Sequence, residues 1–182
     1  RCLVGSEMCI RDRGYILLSN GSSKIENWTK IPLPAGPFGF DKNKYNHAAA
    51  GDINNDGFMD VVVAITRDLP YYEGAYIQIL FNNGSGELID VTESSFSDQP
   101  RSATHHGEGN IYLRDMNLDG SLDIVHSTRD YNSGYHGSHI AINDGMGNFT
   151  SIENSKLPDK PDPGHNNYCL LYTSPSPRDI GE

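Results

Sequence analysis

A chain of 182 residues with 24 acidic and 14 basic side chains carries a formal charge of −10. That balance, without any basic cluster, argues against a surface for nucleic acid or for anionic membrane. No apolar run approaches the ~20 residues that a membrane-spanning helix needs.

The two ends of the chain stand apart from the rest. Cys2–Asp12 reads "CLVGSEMCIRD" and Cys169–Asp179 reads "CLLYTSPSPRD". One set of codons for the second, read from the opposite strand in a shifted frame, encodes the first. Two ends of a natural protein have no reason to be opposite strands of one DNA word. The word resembles a transposase-type adapter used to build sequencing libraries. Residues 1–13 and 168–182 are therefore expected to be adapter-derived and to lie outside the fold. Residues 14–167 are expected to be part of a longer domain. Cys2, Cys9 and Cys169 all fall in the ends, so 14–167 offers no disulfide, thiolate nucleophile or cysteine metal site. The charged residues of the ends cancel, four against four, and leave the net charge unchanged.

From Gly14 onward the apolar residues come in short runs bounded by Gly, Asn, Asp and Pro, with no sustained period of 3.6. This pattern predicts many short strands and an all-β fold. "GYILLSNGSSKIENWTKI" opens the series, with a turn at Asn20-Gly21 and Trp28 packed in the strand after it. Four strands are then expected at about His47–Asp52, Met59–Thr66, Ala75–Asn82 and Leu88–Thr92. Asn83-Gly84 supplies the positive φ angles of a tight hairpin between the last two. The run "VVVAI" is apolar at every position, which suits a strand covered on both faces; a strand with one wet face would alternate.

The pattern then repeats. "GDINNDGFMDVVVA" is answered by "RDMNLDGSLDIVHS", with Asp115 following Asp52 at 63 residues. Arg129 follows Arg67 at 62, Asp144-Gly145 follows Asn83-Gly84 at 61, and Asn83 follows Asn20 at 63. About two and a half copies of a unit of about 60 residues are present. Several strands per unit at a fixed period read as propeller blades or an array, and such units must stack to cover both faces.

The head of each unit concentrates negative charge beside an apolar strand. Asp52, Asn54, Asp56 and Asp60 occupy positions 1, 3, 5 and 9 of a loop, with Gly57 at position 6. Asp115, Asn117, Asp119, Asp123 and Gly120 repeat the arrangement. Position 7, Phe58 or Ser121, offers a backbone carbonyl whatever its side chain. Hard carboxylate and amide oxygens in that number suit Ca²⁺. The absence of Cys and His from the loop disfavours Zn²⁺ and copper. An EF-hand would need Glu at position 12 and flanking helices, but Val63 and His126 stand there and strands follow. A plain acidic turn would explain one copy; two copies in phase favour a cation loop.

These loops resemble the calcium loops of FG-GAP/VCBS repeats, the blades of integrin-α-like β-propellers, over essentially all of 14–167. "GPFGF" at Gly36–Phe40 and "AAAGD" at Ala48–Asp52 only partly echo the segments that name the family. The resemblance implies a β-propeller, here represented by two and a half four-stranded blades. It implies two Ca²⁺ sites, formed by Asp52, Asn54, Asp56, the Phe58 carbonyl and Asp60, and by Asp115, Asn117, Asp119, the Ser121 carbonyl and Asp123. It also implies a secreted or cell-surface location.

The expected function is a calcium-stabilised, non-enzymatic module for adhesion or ligand binding outside the cell, with further blades of the same chain as neighbours. A carbohydrate-binding propeller attached to a secreted enzyme, or a catalytic propeller such as a polysaccharide lyase, are the alternatives, and the fold alone does not choose among them. In a four-stranded meander the cation loops and the Asn-Gly turns share one end. The opposite end carries Tyr71, Tyr72, Tyr131 and Tyr135 with Arg67 and Arg129, and is the expected face for a protein or carbohydrate ligand. His105, His106, His136 and His139 are expected to be solvent-facing loop histidines. Asn20, Asn27, Asn83 and Asn148 head glycosylation sequons.

Overall fold

The computed structural model describes residues 2–5, 14–19, 21–39, 42–67, 73–99, 101, 109–128 and 139–152. They form three antiparallel sheets. The first holds β1 (Cys2–Gly5), β2 (Tyr15–Leu18) and β3 (Thr29–Pro32) in that order. The second is a four-stranded meander of β4 (Asn43–Gly51), β5 (Asp60–Arg67), β6 (Glu73–Asn82) and β7 (Leu88–Asp90). The third repeats it with β8 (Gly109–Arg114), β9 (Asp123–Thr128), β10 (His139–Asn143) and β11 (Phe149–Ser151).

The second sheet lies between the other two, and β5 shows why its run Val61–Ile65 is apolar at every position. Val61, Val63 and Ile65 join Ile16 and Leu33 in one core, against the first sheet. Val62 and Ala64 join Ile111, Ile124 and Phe149 in the other, against the third. All five β5 residues are at most 1% exposed. Alternate side chains point to opposite faces of a strand, so a strand covered on both sides buries successive apolar residues in two different cores. In β4 a bulge between Tyr45 and His47 shifts the register. Tyr45 therefore packs toward the first sheet, while His47 meets Ile111 and Tyr112 of the third.

Three local expectations change. First, the β6–β7 and β10–β11 connections are five-residue loops, closed by Asn83 N–H to the Glu87 carbonyl (3.1 Å) and Asp144 N–H to the Asn148 carbonyl (3.0 Å). A two-residue hairpin needs positive φ at both central residues, and here only the glycines supply it: Gly84, Gly86, Gly145 and Gly147. Second, the fourth strand of the middle sheet stops at Asp90, and Thr92–Ser95 form one helical turn, α1. Thr92 Oγ1 accepts the Ile79 N–H at 2.9 Å, so the side chain continues the ladder that the backbone has left. Third, Cys2–Gly5 pairs with Tyr15–Leu18, although the sequence places it outside the fold. Pairing along a free strand edge needs only backbone N–H and C=O groups, which any sequence provides.

Candidate metal centre

The β4–β5 and β8–β9 connections fold into the same cradle. In the first, Asp52 Oδ1 accepts the Asp56 N–H (3.0 Å) and Asp52 Oδ2 the Gly57 N–H (3.0 Å). Asn54 Oδ1 accepts the same Asp56 N–H at 3.1 Å, and Asp56 Oδ1 accepts the Phe58 N–H at 2.8 Å. The second loop reproduces each bond at Asp115, Asn117, Asp119, Gly120 and Ser121. Side-chain oxygens from positions 1 and 3 thus meet at one N–H, which turns both inward. Gly57 and Gly120 take φ of 90° and 94°, where a side chain would strain the backbone. Asn55 and Leu118 share φ near 60° (59° and 63°); Asn tolerates that region and Leu does so poorly.

The position 9 carboxylates do a different job. Asp60 is buried, and its two oxygens accept the Ile53 N–H (3.0 Å) and the Asn82 N–H (2.9 Å). Asp123 likewise takes Met116 and Asn143. Each ties the base of its loop to the third strand of its own sheet. Burial pushes both carboxyls above the usual range, and the repulsion of the two loop Asp residues adds to it, while the backbone N–H groups pull the other way. Asp119 shows the reverse: the Ser121 N–H and the Asn117 amide hold its exposed carboxyl low.

The donor chemistry fits a hard cation. Every oxygen at positions 1, 3 and 5 with a hydrogen bond retains acceptor capacity, because an ionised carboxylate has about four acceptor positions. The second Asp56 oxygen faces the Asn54 amide NH₂ (2.9 Å), and Asp119 faces Asn117 in the same way (2.7 Å). A donor already sits against the free carboxylate oxygen in each loop. Among the described residues, however, no three His, Cys, Asp or Glu side chains are gathered as one metal-holding group. The set that shares each cradle is Asp, Asn, Asp, with the third Asp braced behind it.

The first cradle is also fastened to the following sheet. Asn55 Nδ2 donates to the Gly145 carbonyl (2.8 Å), and Asn143 Nδ2 donates to the Ile53 carbonyl (2.7 Å) and to Leu122 (3.0 Å). Asn143 Oδ1 accepts the Gly145 and Gly147 N–H groups. The β10–β11 turn and the β4–β5 loop therefore occupy the same end of the sheets, as the meander argument expects. Sequence reasoning missed Asn55 and Asn143. The repeat held the signal for Asn143: Asn82 stands in phase with it, and its Oδ1 accepts the Gly84 N–H in the same way.

Tyr71, Tyr72, Tyr131 and Tyr135 lie outside the described residues, as do Arg129, His105, His106, His136 and Asn20. His139 is described, and it corrects the expectation of a solvent-facing loop histidine. It opens β10, is 6% exposed and lies directly across from His126. Strand pairing turns it toward the core, which the loop-like sequence before it gave no reason to expect. Trp28 is half-buried beside β3, its indole N–H donating to the Ser22 carbonyl at 2.8 Å. Of the sequon asparagines, Asn83 and Asn148 are exposed but their side chains brace turns, through Glu87 and Asp144. Asn27, the last residue of a 3₁₀ turn (Ile25–Asn27), is exposed and its Nδ2 donates to Ser22 Oγ at 3.2 Å. No described helix is long and apolar enough to cross a membrane. No protein-family model matches the chain, and no solved structure matches it significantly.

Proposed function

We propose that this chain is part of a β-propeller of the FG-GAP/VCBS kind, a calcium-stabilised module that presents a ligand face outside the cell. The observation that carries the reading is the congruence of the two loops. At 63 residues' separation they repeat the same donors in the same hydrogen-bonded cradle, each at the head of a four-stranded meander. An acidic turn of no consequence would have no reason to keep four bonds in register. Asp52, Asn54 and Asp56, and Asp115, Asn117 and Asp119, would hold the ion, with Asp60 and Asp123 completing or bracing each site. The Phe58 and Ser121 carbonyls are further donors by their loop position. Bound Ca²⁺ would supply positive charge among crowded carboxylates, which makes its role structural. The three face-to-face sheets support the blade reading, since each meander has an apolar face that only a neighbour can cover. The ligand is a protein or a carbohydrate, and the end opposite the cradles is its proposed seat.

Calorimetric titration with Ca²⁺, and thermal melting with and without chelator, test the reading. Binding to the folded state alone raises stability by RT ln(1 + [L]/Kd), about 2.7 kcal/mol at a hundredfold excess over Kd. Asp56→Ala and Asp119→Ala should each remove much of the gain. Identical melting with and without chelator, together with a flat titration, would sink the proposal.

A further inference from the structure

The end of the sheets that carries the cradles is apolar as well as acidic. Phe58 and Met59 of the first loop, Leu118 of the second and Met146 of the β10–β11 turn are 45%, 49%, 76% and 67% exposed. They are gathered together. Met146 stands between Gly145 and Gly147, and that turn lies against both loops. A methyl group on Gly145 would meet Ser121 Oγ of the second loop at 3.2 Å and Asn55 Nδ2 of the first at 3.8 Å; one on Gly147 would meet the Asn54 Cβ at 3.3 Å. Phe58 lies over the β6–β7 turn, its ring 2.6 Å from where a methyl on Gly84 would stand. The repeat supplies a control within the same chain. Ser121 stands in phase with Phe58, Asn55 with Leu118 and Ser85 with Met146. The four-stranded unit therefore forms with a polar residue at each of these places. Leu118, moreover, takes φ of 63°, a region that Leu tolerates poorly. The fold does not ask for these apolar side chains.

We infer that this end is a docking surface for a cationic amphipathic segment of a partner protein. Its Lys or Arg residues would meet the loop carboxylates, and its apolar side chains would cover Phe58, Met59, Leu118 and Met146. Charge selects this occupant. Asp52, Asp56, Asp115 and Asp119, with Glu87 and Asp144 of the turns, are exposed or half-buried around the apolar group. Across residues 52–60, 82–88, 114–123 and 143–149 the one basic residue is Arg114, and its Nη1 donates to the Leu113 carbonyl at 2.7 Å. A second copy would set these loops against another chain of net charge −10, and an anionic membrane would be repelled in the same way. Complementary charge steers a partner and fixes its register, while buried apolar contacts hold it. Methionine suits that part, because its unbranched, polarisable side chain adapts to the surface it meets. The docking needs neither a cation nor the ligand seat at the opposite end, since each cradle closes on its own hydrogen bonds.

The test is fluorescence anisotropy of two labelled synthetic peptides with the full chain. Chelator is present throughout, so the outcome is independent of the Ca²⁺ titration and either can fail alone. One peptide carries Lys and Leu on opposite faces at helical spacing; the other keeps every Lys and has Ser in place of every Leu. The Lys/Leu peptide should bind at least about tenfold more tightly than the Lys/Ser peptide, and both should weaken as salt rises. The variant Leu118→Asn/Met146→Ser installs what the repeat holds at the equivalent positions. It should cut the preference for the Lys/Leu peptide at least about threefold. Phe58→Ser should do the same, and it decides the matter if the double variant does not fold. Equal affinity for the two peptides overturns the proposal, as does a preference unchanged in a variant that folds. Co-sedimentation with phosphatidylserine vesicles that Leu118→Asn/Met146→Ser abolishes, or self-association that it abolishes, would assign the surface to another occupant and also overturn it.

Discussion

At the scale of single residues, the two copies answer the same physical demand with different side chains. In one turn Asn83 donates from Nδ2 to Glu87 (2.9 Å); in the other Asn148 donates to Asp144 (2.8 Å). The amide and the carboxylate have exchanged places across the turn, and the bond survives. Asn83→Asp should therefore destabilise by about 1 kcal/mol, since two carboxylates then oppose each other. Adding Glu87→Asn should restore most of the loss, because the double change reproduces the other turn. Urea denaturation of the single and double variants checks this, and a double variant no better than the single one refutes it. Leu118 offers the opposite case. It is 76% exposed and sits at φ 63°, where its equivalent is Asn55. Leu118→Asn should stabilise by about 0.5–1 kcal/mol by relieving the left-handed backbone, read as a higher denaturation midpoint with unchanged slope. Such details explain what could be read beforehand. The spacing of Asp, Asn and Gly in the loops was legible because it repeats at 63 residues. The His126–His139 pair was not, since it depends on strand register, and nothing local in "VHST" or "SHIA" announces it.

At the scale of elements, the ends of strands are finished by side chains. β7 pairs with only the far part of β6, at Leu80–Asn82. Nearer the start of β6, Gln99 takes over: Oε1 accepts the Ile77 N–H (2.9 Å) and Nε2 donates to the Ile77 carbonyl (3.1 Å). One buried amide thus imitates a residue of a neighbouring strand. Gln99→Ala would leave a buried donor and a buried acceptor without partners, at a cost of about 2–4 kcal/mol. Thermal melting measures the loss, and faster exchange of the Ile77 amide locates it; a change below about 1 kcal/mol would mean that water fills the place. Sequence reading put a strand at Leu88–Thr92 and foresaw neither the early stop at Asp90 nor α1. The strand, the helical turn and Gln99 form one device closing the β6 edge, and only the tertiary arrangement requires it. The four-strand outline itself was legible, because alternating and continuous apolar runs bounded by turn residues mark strands wherever they pack.

At the scale of the whole molecule, the middle sheet is a filling between two others. Val62→Ala and Val63→Ala test that directly, since the two residues are neighbours in sequence and face opposite cores. Each should cost about 1.5–3 kcal/mol in chemical denaturation. In a sheet with one covered face, one of the two would be nearly silent. The all-β class and the burial of both faces of "VVVAI" were foreseeable from composition and pattern. The stacking order of the sheets follows from chain order and the repeat.

The hydrogen bonds that fasten the first cradle to the third sheet span long stretches of chain. Asn55 bonds Gly145 and Asn143 bonds Ile53, each across 90 residues. During synthesis the cradle at 52–60 therefore emerges long before the turn that fastens it. At a translation rate of about 5–20 residues per second, that interval is about 5–20 s. Throughout it, the Ile53 carbonyl has no Asn143 amide to meet, and Val62 and Ala64 have no third sheet over them. A ribosome-bound nascent chain stalled before residue 143 should be cut by protease at this loop, and one extended past residue 152 should resist. The order in which the chain is made thus sets a period in which the first acidic loop stands without the turn that later secures it.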